Sequence, residues 1–176
     1  MDKLEMANSY IEKNRLPKEQ RPAFHVTAPI GWINDPNGFS EYRNQYHLFY
    51  QHHPYSDEWG PMHWGHCTSY DFIKWEELPD ALAPDESYDE NGCFSGSALE
   101  TDEGHALVYT GVTEKEKNGK KFSYQNQCLA FGDGKTYRKF AGNPVIDGNQ
   151  LPEGFSREDF RDPKIWFDNG SYFLVA

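Results

Sequence analysis

The sequence predicts an all-β fold: the N-terminal part, about two and a half blades, of a β-propeller, preceded by a short helix. From residue 21 onward, short alternating apolar and polar runs are separated by Gly, Pro, Asn and Asp, which is typical of strands joined by turns. A four-strand unit opened by a polar motif recurs along the chain, which indicates propeller blades. Aromatic residues, which strands favour, make up 16% of the chain.

The first element is predicted to be a helix within residues 1–20. Leu4, Ala7, Tyr10 and Ile11 fall on one helical face, and Pro17 ends the pattern. We therefore expect an N-terminal helical segment at residues 1–20 and a partial catalytic propeller at residues 21–176.

Three polar motifs mark the repeat, and each is followed by an apolar strand. The first motif, residues 34–38, is followed by a strand at 46–51. The second, 94–98, is followed by a strand at 106–110, and the third, 161–164, by a strand at 172–176. Asp35, Ser95 and Asp162 are 60 and 67 residues apart. Because the innermost strands of a propeller line one central channel, motifs that open successive blades should converge on one site. Residues 115–121 (KEKNGKK) predict an exposed hairpin tip with an Asn-Gly turn.

Charge and hydropathy exclude several classes of partner. The chain carries 17 basic and 28 acidic residues, a net charge of −11. Such a chain lacks the basic surface that nucleic acids and anionic membranes require, whereas a neutral, hydroxyl-rich substrate is compatible with it. No stretch approaches the roughly 18 consecutive apolar residues of a membrane span.

The cysteines and the N-terminus predict a cytoplasmic protein. Cys67, Cys93 and Cys128 are odd in number and widely spaced, which favours reduced thiols over a disulfide framework. The first 16 residues alternate charges and lack the apolar core of a secretory signal.

Asp35 is the first candidate for chemistry. Glycoside hydrolysis uses two carboxyl groups, one on each side of the scissile bond. Asp35 lies in the segment WINDPNG, where Pro36 fixes φ, Gly38 permits a sharp turn, and Asn34 can hydrogen-bond locally or to a ligand. Taken alone, the tetrapeptide Asp-Pro-Asn-Gly favours an ordinary turn over a catalytic motif.

From about residue 20 to its end, the chain resembles the β-fructofuranosidases. This glycoside hydrolase family of invertases, sucrose-6-phosphate hydrolases and fructanases has a five-bladed β-propeller. Three family motifs occur in order, at residues 32–38, 94–98 and 161–163. The resemblance implies hydrolysis of terminal β-D-fructofuranosides such as sucrose or sucrose 6-phosphate, without a cofactor, by a retaining double displacement.

The resemblance also assigns roles to individual residues. Asp35 would be the nucleophile, and Asp162 would stabilise the transition state by holding ring hydroxyls of the fructosyl unit. The implied substrate-binding residues are Trp32, Asn34, Gln51, Trp59, Phe94, Ser95 and Arg161. Two carboxylates near a developing oxocarbenium ion stabilise its charge but repel each other, and Arg161 offers a compensating cation.

The general acid of the family is not expected within this chain. In the family it is a Glu in a Glu-Cys pair, and this sequence contains no such pair. We therefore expect an N-terminal fragment that lacks the C-terminal blades and β-sandwich and is inactive alone. An incomplete propeller that a partner completes is the alternative.

Other functions stay open at this stage. A fructosyltransferase or fructan hydrolase would share these motifs, because acceptor choice depends on loops. A non-catalytic sugar-binding propeller is a further alternative. A metal site is not expected: His63 and His66 lack a clear third ligand and fall on opposite faces of a strand. Trp59 and Trp64 fit either a sugar platform or the core.

Overall fold

The structure is a computed structural model that describes residues 2–117 and 119–176. The described residues form one α-helix, α1 (Lys3–Asn14), and ten strands. The strands are β1 (Trp32–Tyr42), β2 (Gln45–His53), β3 (His63–Ser69), β4 (Glu76–Leu82), β5 (Gly92–Thr101), β6 (Gly104–Lys117), β7 (Lys120–Gly132), β8 (Tyr137–Lys139), β9 (Lys164–Asp168) and β10 (Ser171–Val175).

The strands form three antiparallel meanders in chain order. β1 to β4 make one four-stranded sheet, β5 to β8 make a second, and β9 pairs with β10 alone. This arrangement confirms the predicted two and a half blades. The first and second motifs lie within β1 and β5, and the third directly precedes β9, so each motif opens a sheet as predicted. The predicted Asn-Gly turn between β6 and β7 includes Asn118, which lies outside the described residues.

Helix α1 covers the outer edge of the first sheet, β4. Asp2 and Glu5 form a reciprocal capping box at its start, and Ala7 and Ile11 are its buried residues, on the predicted face. The Asn8 side chain accepts a hydrogen bond from the Asp80 N–H at 2.7 Å and donates one to the Asp80 carbonyl at 3.2 Å. The helix thus satisfies backbone groups that an edge strand would otherwise expose.

The main core lies between the first two sheets. Phe49 and Trp64 from the first sheet pack against Leu107 and Tyr109 from the second, and all four are fully buried. Gly38 leaves space for the Phe49 ring in this core, because a Cβ at Gly38 would lie 2.7 Å from that ring. Trp64 is therefore a core residue, which resolves the alternative that the sequence left open for it.

A polar cluster is buried beside this core. His47 and His66 share a hydrogen bond of 3.0 Å, and the two nitrogens of His105 contact Tyr137 at 2.7 Å and Ser40 at 2.9 Å. We call these five residues the histidine cluster. It joins β1, β2 and β3 to β6 and β8, so it links the two sheets.

None of the helices in the described part of the chain combines the length and the apolar character that crossing a bilayer requires.

Candidate active site

Asp35 lies on an irregular part of β1. The register between β1 and β2 shifts between Ile33 and Pro36, so Asp35 falls in a β-bulge. Pro36 has no N–H to contribute to the ladder, and a bulge is one of the few places where a strand accommodates it. The bulge leaves the Asp35 carboxylate exposed instead of fixed in the sheet.

Ser95 lies on the matching irregularity of β5. The β5–β6 register shifts between Phe94 and Gly96, which leaves Ser95 without a partner in the ladder. The Ser95 hydroxyl donates a hydrogen bond of 3.3 Å to Oδ2 of Asp35. The opening motifs of the first two sheets therefore meet, as the repeat predicted.

Asp162 precedes β9 in a left-handed backbone conformation, with φ of +60°. Asp is one of the few residues other than Gly that adopt this region readily. The Asp162 N–H donates to the Thr110 hydroxyl at 3.1 Å. Ser97 fixes the following residues, donating to the Pro163 carbonyl at 2.7 Å and accepting from the Ile165 N–H at 2.9 Å. These contacts hold the third motif against the second sheet.

Three neighbouring effects act on the pKa of Asp162. Partial burial raises the pKa of Asp162 above its ordinary value, the Arg161 guanidinium lowers it, and the negative charge of Asp35 raises it. Arg161 Nε lies 3.8 Å from Asp162 Oδ2. Its Nη1 donates to Asp159 at 3.0 Å, so Asp159 orients the cation that faces Asp162.

Several predicted sugar-binding residues contact the segments that contain Asp35 and Ser95. Trp59 is 57% exposed and makes an edge-to-face contact with Phe94, with ring centroids 6.1 Å apart. Trp32 donates from its indole N–H to the Asn34 side chain at 2.8 Å. Gln51 is buried and donates to the carbonyl of Cys93, the residue before Phe94, at 2.9 Å. Trp59 is thus available as a platform, while Gln51 also supports the backbone of the second motif.

Thr110, Ser97 and Asp159 support the third motif through contacts that the sequence did not predict. Ser97 lies within the second motif, but its bonds to the third motif depend on the distance between two sheets. Thr110 ends a predicted apolar strand, and its sequence environment carries no signal of a contact with residue 162. Asp159 lies two residues before Arg161, and this spacing was the available signal of their contact.

His63 and His66 take structural roles. His63 bonds to the Pro61 carbonyl at 3.1 Å, and His66 belongs to the histidine cluster. Within residues 2–117 and 119–176, no three His, Cys, Asp or Glu side chains are grouped so as to hold a metal ion.

Comparison with known families identifies the chain. Residues 25–176 match the family model described as the glycosyl hydrolases family 32 N-terminal domain. The chain belongs to glycosyl hydrolase family 32. The membership confirms the predicted family, and the solved relatives confirm the fold class, because they are propeller enzymes.

Individual relatives are similar over nearly the whole chain. A sucrose-6-phosphate hydrolase from Zymomonas mobilis is 41% identical over 175 residues, 99% of this chain and 33% of that protein. A raffinose invertase from Escherichia coli is 42% identical, over 98% of this chain and 36% of that protein. The solved Bombyx mori GH32 β-fructofuranosidase superposes with a TM-score of 0.85 at 42% identity, covering 97% of this chain and 35% of the other. The family 32 chain described here thus spans about a third of the length of these relatives.

Proposed function

We propose that the full-length protein hydrolyses terminal β-D-fructofuranosides, with sucrose or sucrose 6-phosphate as substrate, and retains the anomeric configuration. The hydrogen bond between Ser95 and Asp35 carries the proposal, because it orients a carboxylate where the opening motifs of two sheets meet. The similarity to a sucrose-6-phosphate hydrolase and a raffinose invertase supports this substrate class.

In this mechanism Asp35 forms the covalent bond to the sugar. Ser95 holds Oδ2, so Oδ1 attacks the anomeric carbon of the fructosyl unit while the glycosidic C–O bond breaks. The leaving oxygen takes a proton from the general acid, which we place outside residues 1–176 because this chain has no Glu-Cys pair. Water then attacks the anomeric carbon and breaks its bond to Asp35; the water gives a proton to the conjugate base of the general acid, and the Asp35 carboxylate is regenerated.

Asp162 stabilises the transition state in this scheme. Its carboxylate accepts hydrogen bonds from fructosyl hydroxyls, and its negative charge stabilises the positive charge that develops on the ring. The left-handed backbone at Asp162 and its N–H bond to Thr110 keep the carboxylate in place before substrate binds. Arg161 favours the ionised form of Asp162, because its guanidinium lowers the Asp162 pKa.

The surroundings of the site fit a neutral sugar. Trp59 and Phe94 present aromatic rings, whose faces stack on the C–H groups of sugars. We place the protein in the cytoplasm, because all three cysteines are buried free thiols, the state that a reducing compartment maintains.

The decisive variant is Asp35→Ala in the full-length gene product. Removal of the nucleophile is expected to lower kcat for sucrose by at least about 10⁴-fold, the scale of loss when a catalytic nucleophile is deleted. Initial rates of hexose release measure it. Asp102→Asn, an exposed carboxylate in the turn after β5, is the matched control and should retain wild-type activity.

Two outcomes would contradict the proposal. If the Asp35→Ala variant cleaves sucrose at the wild-type rate, Asp35 is not the nucleophile. If purified residues 1–176 cleave sucrose by themselves, and Asp35→Ala abolishes that activity, the general acid lies within this chain.

A further inference from the structure

Two buried polar residues of the second sheet form a cross-strand pair that contacts the third motif. Thr110 on β6 and Gln127 on β7 lie directly opposite each other in the antiparallel ladder, and both are fully buried. The Thr110 hydroxyl donates a hydrogen bond to Oε1 of Gln127 at 3.1 Å. We call these two residues the Thr110–Gln127 pair. Because buried polar groups are costly unless they are hydrogen-bonded, the remaining partners of this pair are informative.

The Thr110–Gln127 pair binds the backbone on both sides of Arg161. Nε2 of Gln127 donates to the Phe160 carbonyl at 2.8 Å, and the Asp162 N–H donates to the Thr110 hydroxyl at 3.1 Å. The hydrogen bonds therefore form one continuous series, from the Asp162 N–H through the pair to the Phe160 carbonyl. Since hydrogen bonds in series polarise one another, the loss of either side chain should weaken the contacts that remain.

Gln127 determines the direction in which the Thr110 hydroxyl points. A hydroxyl has a single proton, and Oε1 of Gln127 accepts it, so a lone pair of the hydroxyl oxygen is left to accept from the Asp162 N–H. Gln127 is itself held in place: its backbone N–H donates to the Ile146 carbonyl, and its carbonyl accepts from the Val145 N–H, both at 2.9 Å. The series thus begins from a fixed residue inside the second sheet.

The backbone at Asp162 depends on this support. Its φ of +60° lies in the left-handed region, which few residues other than Gly, Asn and Asp adopt. The Asp162 side chain is more than half exposed, so packing does little to fix its carboxylate. Ser97 holds only the residues that follow, through the Pro163 carbonyl and the Ile165 N–H. The direction of the Asp162 carboxylate therefore follows from the backbone that the Thr110–Gln127 pair holds.

We propose that Gln127 is a positioning residue for Asp162 and acts through Thr110 and the backbone on both sides of Arg161. The inference rests on the proposed function, in which Asp162 stabilises the transition state. Interactions that are stronger in the transition state than with bound substrate raise kcat. A small displacement of the Asp162 carboxylate should therefore slow cleavage and leave the binding of sucrose nearly unchanged.

The variant Gln127→Met removes both polar atoms and keeps a side chain of similar length. In the full-length protein it is expected to lower kcat for sucrose about 10- to 100-fold, the scale of a small misplacement at an active site, and to change KM less than about twofold. Gln125→Met is the matched control, because Gln125 lies two residues away on β7 and is also buried. It should keep the wild-type kcat, and chemical denaturation verifies that both variants are folded in the assay.

Variants of Thr110 test the other half of the pair and decide the question if Gln127→Met does not fold. Thr110→Val removes the hydroxyl and should lower kcat to a similar extent, whereas Thr110→Ser keeps the hydroxyl and should recover most of the activity. A double-mutant cycle with Asp162→Asn tests whether the pair acts through Asp162. In that background Thr110→Val and Gln127→Met should each lower kcat by less than about twofold, because effects exerted through one group are not additive.

The outcomes separate this inference from the proposed function. If the wild-type protein cleaves sucrose and Gln127→Met and Thr110→Val keep the wild-type kcat, Gln127 is not a positioning residue, and the proposed function is unaffected. Equal losses of kcat in the wild-type and Asp162→Asn backgrounds also overturn the inference, because the pair would then act independently of Asp162. If the wild-type protein cleaves neither sucrose nor sucrose 6-phosphate, the proposed function is wrong, and this inference with it.

Discussion

At the scale of single residues, the site depends on two carboxylates with different surroundings. Asp35 is exposed on a bulge and fixed by one hydroxyl, Ser95. Asp162 is held through its backbone, and its pKa is raised by partial burial and by Asp35. The surroundings of Asp162 thus favour its protonation in acid, where it would stop stabilising the transition state.

The acid limb of activity should respond to Arg161. The guanidinium lowers the pKa of Asp162, so Arg161→Gln is expected to raise that pKa and to move the acid limb of kcat/KM toward higher pH. At neutral pH the loss should be less than about fivefold, because exposed ion pairs contribute up to about 1 kcal/mol.

A pH profile of kcat/KM for sucrose measures the effect. Arg161→Lys keeps the positive charge and should shift the limb less than Arg161→Gln. An acid limb at the same pH in all three proteins would show that Arg161 does not act through Asp162.

The sequence singled out candidate site residues, but not the contacts that hold them. The motif at 32–38 makes Asp35 a candidate because Pro36 fixes φ and Gly38 permits a sharp turn, and both effects are local in sequence. Thr110 and Ser97 contact the third motif across a distance of more than 50 residues in sequence, and hydroxyls in strands carry no signal of such a partner. Trp59 and Trp64 also differ only in tertiary context: one is exposed and the other fully buried.

At the scale of elements, the segment between β4 and β5 is fixed by a buried cation. Lys139 on β8 donates to the Ala83 carbonyl and to Asp89, each at 2.6 Å, and also to Asp85. Tyr109 donates to the same Asp89 oxygen at 2.8 Å. This contact joins the outermost strand of the second sheet to the segment that leads into the motif containing Ser95.

Replacement of Lys139 should destabilise the protein strongly. Lys139→Met leaves the fully buried Asp89 without its cation, and removal of one partner of a buried ion pair costs about 3–5 kcal/mol. Chemical denaturation of the full-length protein measures the free energy of unfolding. Lys135→Met, an exposed lysine in the β7–β8 turn, is the control and should change it by less than about 0.5 kcal/mol. Equal unfolding midpoints for both variants would contradict a stabilising role for Lys139.

At the scale of the whole molecule, the histidine cluster should make the fold sensitive to acid. Burial lowers the pKa of His105 to about 3, with a smaller contribution from His47. Burial likewise lowers the pKa of His66 and of His47. The folded state keeps these rings neutral while the unfolded state protonates them near pH 6.5, so stability is present above that pH and falls as the pH drops toward the folded values.

The variant His105→Gln isolates one member of the cluster. Each histidine that stays neutral in the folded state makes the free energy of unfolding fall by about 1.4 kcal/mol per pH unit between pH 6.5 and its folded pKa. The His105→Gln variant should therefore lose about that much of the pH dependence. Denaturation of the full-length protein at several values between pH 7 and 5 measures it. His25→Gln, at an exposed position, should keep the wild-type slope. If the free energy of unfolding of His105→Gln depends on pH as steeply as that of the wild type, His105 is protonated in the folded state.

Identification of the covalent intermediate would decide whether Asp35 is the nucleophile. The full-length protein is mixed with sucrose, quenched with acid during turnover, digested and mapped by mass spectrometry. We expect a peptide that contains Asp35 and carries one fructosyl unit, and no labelled peptide from the Asp35→Ala variant. A fructosyl unit on another residue, or turnover with no labelled peptide, would contradict Asp35 as the nucleophile of a retaining mechanism.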